Sequence, residues 1–327
     1  MAQVDSVEAV GPADKATRPG ESARHPGQIP RAGWRQVLVR VKDEMNADNL
    51  SIVAAGVAFF SLLAVFPGIT ALVTVYGLLT DPAQVEQQLA PLRALVPENA
   101  FDIIAHQTRQ VASQATGSLS FGLVLSLALA VWSANAGTKS IITALNISYE
   151  ETEKRGFFNL NFWSLAFTLG GIVFLIVALT VVAAVPAALA IFGDGGPMQT
   201  VLLALRWVVM ALLMMLALAV LYRYAPSRTS ARMQWVSVGA IAATFAWLVA
   251  SVGFSLYVRN FGSYDKTFGS LGAVVVLLMW FYISAYVVCI GAELNAELER
   301  QTLKDSTIGP DKPIGQRGAA VADDKTV

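Results

Sequence analysis

Apolar and polar positions fall in long blocks along this chain, and each apolar block has the length of a membrane crossing. The last block is the clearest, because Leu271 to Ile290 contains no charged residue. At about 1.5 Å per residue such a helix crosses a hydrocarbon layer of roughly 30 Å. The same pattern predicts helices over about Leu50–Thr80, Leu119–Ala144, Phe157–Phe192, Thr200–Tyr224 and Trp235–Val258. The fold class is therefore all-α, a polytopic membrane protein with six transmembrane helices. Ser270 can cap the last helix, and Glu293, Glu297, Glu299 and Arg300 mark its expected return to water.

The polar intervals divide the chain further. Residues 1–32, rich in Pro, Gly, Ala and charge, are expected to form a disordered cytoplasmic tail, and 301–327 a second one. Residues 33–300 then form the membrane domain. It opens with a juxtamembrane helix, Gly33 to Asn49, that either lies on an anionic leaflet or is solvated. Asp81 to Gly117 carries two short apolar stripes separated by Pro97. They are too polar to span and predict a short amphipathic extracytoplasmic cap. The polar, glycine-rich connection before the last helix predicts a tight antiparallel pair of the last two helices.

Small residues suggest where helices touch. Ser51, Ala54, Ala55 and Ala58 share one face of the first crossing, and Gly239, Ala243, Ala246, Ala250 and Gly253 one face of the fifth. Pro67-Gly68 should kink or break the first crossing. Phe157–Phe192 exceeds one perpendicular crossing and must tilt, bend or protrude.

Composition narrows the function classes. Charged residues make up 14% of the chain and hydrophobic ones 55%, with a mean hydropathy of +0.56. A soluble domain with one core does not fit these values. The formal net charge of zero supplies no basic field for nucleic acid. The one cysteine, Cys289, can form no intramolecular disulfide and reads as a packing residue. His25 and His106 are isolated, so no metal site is expected, and no cofactor motif is present.

Basic residues set the orientation. Arg31, Arg35, Arg40, Lys42, Lys154, Arg155, Arg223, Arg228, Arg232, Arg300 and Lys304 fall on one side of six crossings. Arg93, Arg109, Arg259 and Lys266 fall on the other. Both termini are thus expected in the cytoplasm.

Polar positions inside crossings are the candidate functional residues. Asn135 and Lys139 begin a stripe on the second helix that continues through Thr143 and Asn146. Tyr282, Tyr286, Cys289 and Glu293 form one on the sixth. Such rows avoid lipid and line either a path or a helix contact. The candidate path residues are Asn135, Lys139, Tyr282, Tyr286 and Glu293, with an ion pair between Lys139 and Glu293. Tyr264, Asp265, Lys266 and Ser270 form either a gate on the opposite side or a structural hairpin.

Three stretches carry a resemblance to a known family. AAGVAFFSLLAVFPG, LYRYAP and YVRNFGSYDKTFGSLGAVVVLLMWFYISAYVVCIGAELNAELE resemble the YihY/virulence factor BrkB family of bacterial inner-membrane proteins, over roughly Trp34 to Arg300. The resemblance implies a six-helix membrane protein, often described as a candidate transporter and once labelled ribonuclease BN, with no agreed catalytic residues. Metal-dependent RNA hydrolysis needs clustered ligands that two isolated histidines do not supply. The expectation is a transporter or lipid translocase that is not an enzyme, with membrane lipids and a homo-oligomer as partners. The alternative is a scaffold in the cell envelope.

Overall fold

The computed structural model describes residues 18–77, 121–192, 197–260 and 270–324. Among the described residues, eight α-helices follow a short 3-10 turn at Pro26–Gln28: α1 Arg31–Ala47, α2 Leu50–Gly77, α3 Phe121–Ser148, α4 Phe157–Phe192, α5 Pro197–Tyr224, α6 Met233–Asn260, α7 Ser270–Gln301 and the single turn α8 Ala320–Asp323. No strand occurs among the described residues. The long helices α2 to α7 match the six apolar blocks to within about one turn at most ends. By length and composition, four of them are able to cross a membrane, within α4, α5, α6 and α7. α1 and the first part of α2, bent by 64° at their junction, pass the same test only when the two are taken together as one broken span. The expected cap (81–117), His106 and the hairpin with Tyr264, Asp265 and Lys266 lie outside the described residues. Ser270 opens α7.

α7 is the hub. It packs against α6, α2, α1 and α3, while α4 bridges α3 and α5, and α5 meets α6. The α6–α7 contact is close and antiparallel. Gly239 N–H donates to Asn295 Oδ1 at 2.7 Å, and Trp247 Nε1 donates to Ser284 Oγ at 2.9 Å. A Cβ on Gly239 would stand 2.0 Å from Gly291 O, and one on Gly291 would stand 2.4 Å from the Tyr222 hydroxyl. Only glycine permits this approach. The small-residue face narrows accordingly: Gly239 and Ala243 form the contact, whereas Ala246 and Gly253 are exposed. In α2 the buried positions are Leu50, Ala54, Val57 and Ala58, and Ser51 and Ala55 face outward. α2 continues through Pro67.

Large apolar side chains cover the outside of the bundle: Ile52 and Phe60 on α2, Phe158 and Phe162 on α4, Leu212 on α5 and Phe245 on α6 are exposed. This is the arrangement of a protein whose solvent is lipid, with polar groups turned toward one another.

Two expectations differ from the structure. The end of α7 does not return to water. Every residue from Gly291 to Arg300 is buried, because the connections after α3 and α5, together with the chain beyond Arg300, cover it. That following chain is packed rather than disordered. Arg317 donates to the carbonyls of Leu303, Lys304, Lys312 and Ala322, and the Ala320 N–H donates to Glu151 Oε1 at 2.6 Å. At the other end, Ala23 and Ile29 are buried and the Gln301 side chain donates to Pro19 O, so ordered structure begins well before residue 33. Polar composition concealed this order because a few apolar anchors, Ala23, Ile29 and Val321, join the core while side-chain hydrogen bonds such as those of Arg317 fix the rest.

Candidate functional site

The sequence-derived candidates separate into two groups. On α3, both polar side chains face α4. Thr168 Oγ1 donates to Asn135 Oδ1 at 3.3 Å and lies 2.8 Å from Thr138 Oγ1, and Lys139 Nζ donates to Asn161 Oδ1 at 2.7 Å. Lys139 also stands 5.7 Å from the centre of the Trp132 ring. These bonds form a polar seam between two apolar helices. The expected ion pair between Lys139 and Glu293 is absent, since Lys139 is committed to Asn161.

The second group lies on α7 where it faces α2. Tyr282 and Tyr286 stack with ring centres 6.0 Å apart and planes at 15°, against a cluster formed by Leu50, Ala54, Val57, Ala144, Ala285 and Cys289. One turn below Cys289, Glu293 is 2% exposed. The Asp48 carboxyl, from the α1–α2 corner, and the Ser148 hydroxyl, from the last turn of α3, approach it. Neither gives Glu293 Oε1 a hydrogen bond, and Ser148 Oγ is likewise without one among the described residues. The corner is set locally: Asn49 takes φ 51°, a left-handed conformation that asparagine tolerates better than most residues. That turn brings Asp48 back over the end of the bundle.

Around this point lies a layer of charges. Arg300 donates to Glu297 Oε1 at 2.8 Å and Glu44 Oε1 at 3.3 Å, and also to Glu150. Arg40 donates to Glu297 and, at 2.7 Å, to Gln301 Oε1. Arg228 pairs with Glu299 at 2.6 Å while its guanidinium stands 5.0 Å from the centre of the Tyr149 ring. Most carboxylates here have a cationic partner; Glu293 has none among the described residues. Asp48, Ser148 and Glu150 were not singled out from sequence, and Arg228 was named there only for its bearing on orientation. The available signal was the run AELNAELER, in which Ala292, Leu294, Ala296 and Leu298 alternate with the polar residues and so put apolar positions on two sides of the helix.

The connection after α3 supplies a titratable contact outside the crossings. Asn146 Nδ2 donates to Glu153 Oε2 at 3.0 Å, and the Arg155 backbone and side chain donate to the same carboxylate. Partial burial pushes the Glu153 carboxyl up, but the bonds from Arg155 and Asn146 outweigh it and hold it at about 2, below its ordinary 4.5. A depressed carboxyl stabilises the fold above its ordinary value, and the contribution is lost as pH falls toward 2. Glu153→Gln is expected to cost about 1 kcal/mol at neutral pH, discounted for solvent screening. The difference from wild type should close as the pH falls from 4.5 toward 2. Thermal melts of both proteins in detergent across that range check it, and an unchanged gap in acid would contradict the assignment.

Among the described residues, no group of three or more His, Cys, Asp or Glu side chains is arranged to hold a metal ion. The apolar outer surface, spanning helices and buried polar layer define an integral membrane protein of the polytopic helical class. Residues 41–314 match the family described as Virulence factor BrkB, and the chain belongs to that family. It is 31% identical over 253 residues to the ribonuclease-like protein YfkH of Bacillus subtilis (strain 168), covering 76% of this chain and 90% of YfkH. It is 29% identical to a UPF0761 membrane protein of Rhodospirillum centenum, covering 93% of this chain and 66% of that one. A UPF0761 membrane protein of Alteromonas mediterranea is also 29% identical, over 77% of this chain and 83% of its own. No solved structure matches.

Proposed function

We propose that the protein is a transporter or lipid translocase of the bacterial inner membrane, with both termini cytoplasmic and Glu293 at the inner end of its path. The observation that carries this reading is the Glu293 carboxyl, 2% exposed with one oxygen lacking a hydrogen bond, at the end of a crossing helix. An ionisable group without a counter-charge is costly there, and in membrane proteins such groups mark pathways. Tyr282 and Tyr286 continue the same face of α7 along the crossing. The ribonuclease-like name belongs to YfkH, and among the described residues no grouping of His, Cys, Asp or Glu side chains suited to a metal ion supports bringing that chemistry to this chain.

A second reading, a membrane scaffold, is favoured by the α3–α4 seam, where Asn135 and Lys139 are spent on helix contacts. Lipid and solute flux in vesicles containing only this protein separates the two. Glu293→Gln should lower flux by roughly ten-fold or more, equivalent to about 1.4 kcal/mol in a barrier. Lys139→Ala, which opens the seam, should lower it less. Wild-type flux in both variants would remove the path. Loss of folded protein in both would favour the scaffold.

A further inference from the structure

The two sides of α1 differ in chemistry. Gly33, Val37 and Val41 are buried, and Arg40 turns inward to Glu297 and Gln301 on α7. The outward side carries Arg31, Arg35, Leu38, Val39 and Lys42, all exposed, with Trp34 half-buried beside them. Offsets of 4, 7, 8 and 11 residues from Arg31 place these side chains along one face. Leu38 is 57% exposed and Val39 53%. With Trp34 and the three cations they line a groove of about 440 Å³. Arg31, Arg35 and Lys42 have no acidic partner among the described residues, in contrast to Arg40, Arg228 and Arg300.

Neither water nor hydrocarbon suits this face. Water gives no reason to expose two adjacent aliphatic side chains, and the bilayer interior does not hold three unpaired cations. The boundary between phosphates and first acyl carbons accommodates both, since long basic side chains reach outward while apolar stems stay inside. The orientation agrees. α1 is bent by 64° from α2, so it turns away from the direction of a spanning helix at the point where α2 exposes Ile52.

We propose that this face binds anionic phospholipid headgroups. Arg31, Arg35 and Lys42 engage the phosphates, and Leu38, Val39 and Trp34 seat among the upper acyl carbons. Three cations without a carboxylate favour a lipid with net negative charge over a zwitterion, whose own ammonium they would repel. This site is independent of the transport reading, because it requires only that the protein be embedded.

A fluorophore on Leu38→Cys tests it, Cys289 being buried and out of reach of the label. The labelled full-length protein is placed in nanodiscs holding equal amounts of phosphatidylglycerol and phosphatidylcholine, with bromine on the acyl chains of one or the other. Brominated phosphatidylglycerol should quench more strongly, by roughly two- to five-fold at low salt, and the preference should fall toward parity in about 0.5 M NaCl. Adding Arg31→Gln, Arg35→Gln and Lys42→Gln should abolish it, while Arg31→Lys with Arg35→Lys retains it. The salt series on the unaltered face needs no folded glutamine variant. Equal quenching by both lipids at low salt would overturn the proposal, as would quenching by neither, which would place the face in water or beneath another protein.

Discussion

Gly239→Ala should be among the most damaging single-methyl changes in this protein. The new Cβ would lie 2.0 Å from Gly291 O and 2.5 Å from Asn295 Nδ2. The first is backbone of the hub helix, so relief requires α6 and α7 to separate, and separation breaks the Gly239–Asn295 hydrogen bond. Overpacking of this kind costs about 3 kcal/mol or more. For a protein of this size that corresponds to a fall of roughly 4–5 °C in Tm. Gly253→Ala is the control: it adds the same methyl to α6 where nothing lies within 4 Å. Thermal unfolding in detergent, followed by loss of the monodisperse peak, should separate the two variants. Equal Tm values would show that the helices do not meet through Gly239.

Removal of one partner from the Arg228–Glu299 pair should be comparably severe. The side chains are 2% and 0% exposed, and Ser306 Oγ also donates to Glu299 Oε2 at 2.6 Å. Glu299→Gln leaves a buried guanidinium without its counter-charge, at a cost of about 3–5 kcal/mol. Replacing both, with Arg228→Met and Glu299→Leu, removes the stranded charge along with the pair. The double variant should therefore recover most of the stability lost by Glu299→Gln. Melting curves for wild type, Glu299→Gln, the single variants Arg228→Met and Glu299→Leu, and the double variant provide the check. A double variant as weak as the two losses added would mean that the charges act independently.

The positions of the long helices were legible because hydrophobic length is a local property. Phe157–Phe192 is both the apolar block and the observed α4. The choice of partners was not legible, because it depends on which faces meet. Asn135 and Lys139 share a stripe, but Thr168 and Asn161, which complete it, lie on the next helix. Glu293 was found as a polar position in an apolar helix, yet its neighbours Asp48 and Ser148 arrive from a corner and a helix end. Gly253 and Gly239 look alike in sequence; only packing shows that one is a contact and the other faces outward. The order beyond Arg300 was concealed for a related reason, since Arg317 is satisfied by carbonyls whose location no periodicity reports.

That ordered segment bears on how the protein is made. Residues 302–322 leave the ribosome after α7 and the helices before it, yet they supply Ser306 to Glu299 and the Ala320 N–H to Glu151. Insertion of the crossings and closure of their charged end are thus separate events in biogenesis. A chain ending at Gln301 and released from the ribosome would keep its long helices, while Glu299 and Glu151 lacked the contacts that Ser306 and Ala320 provide.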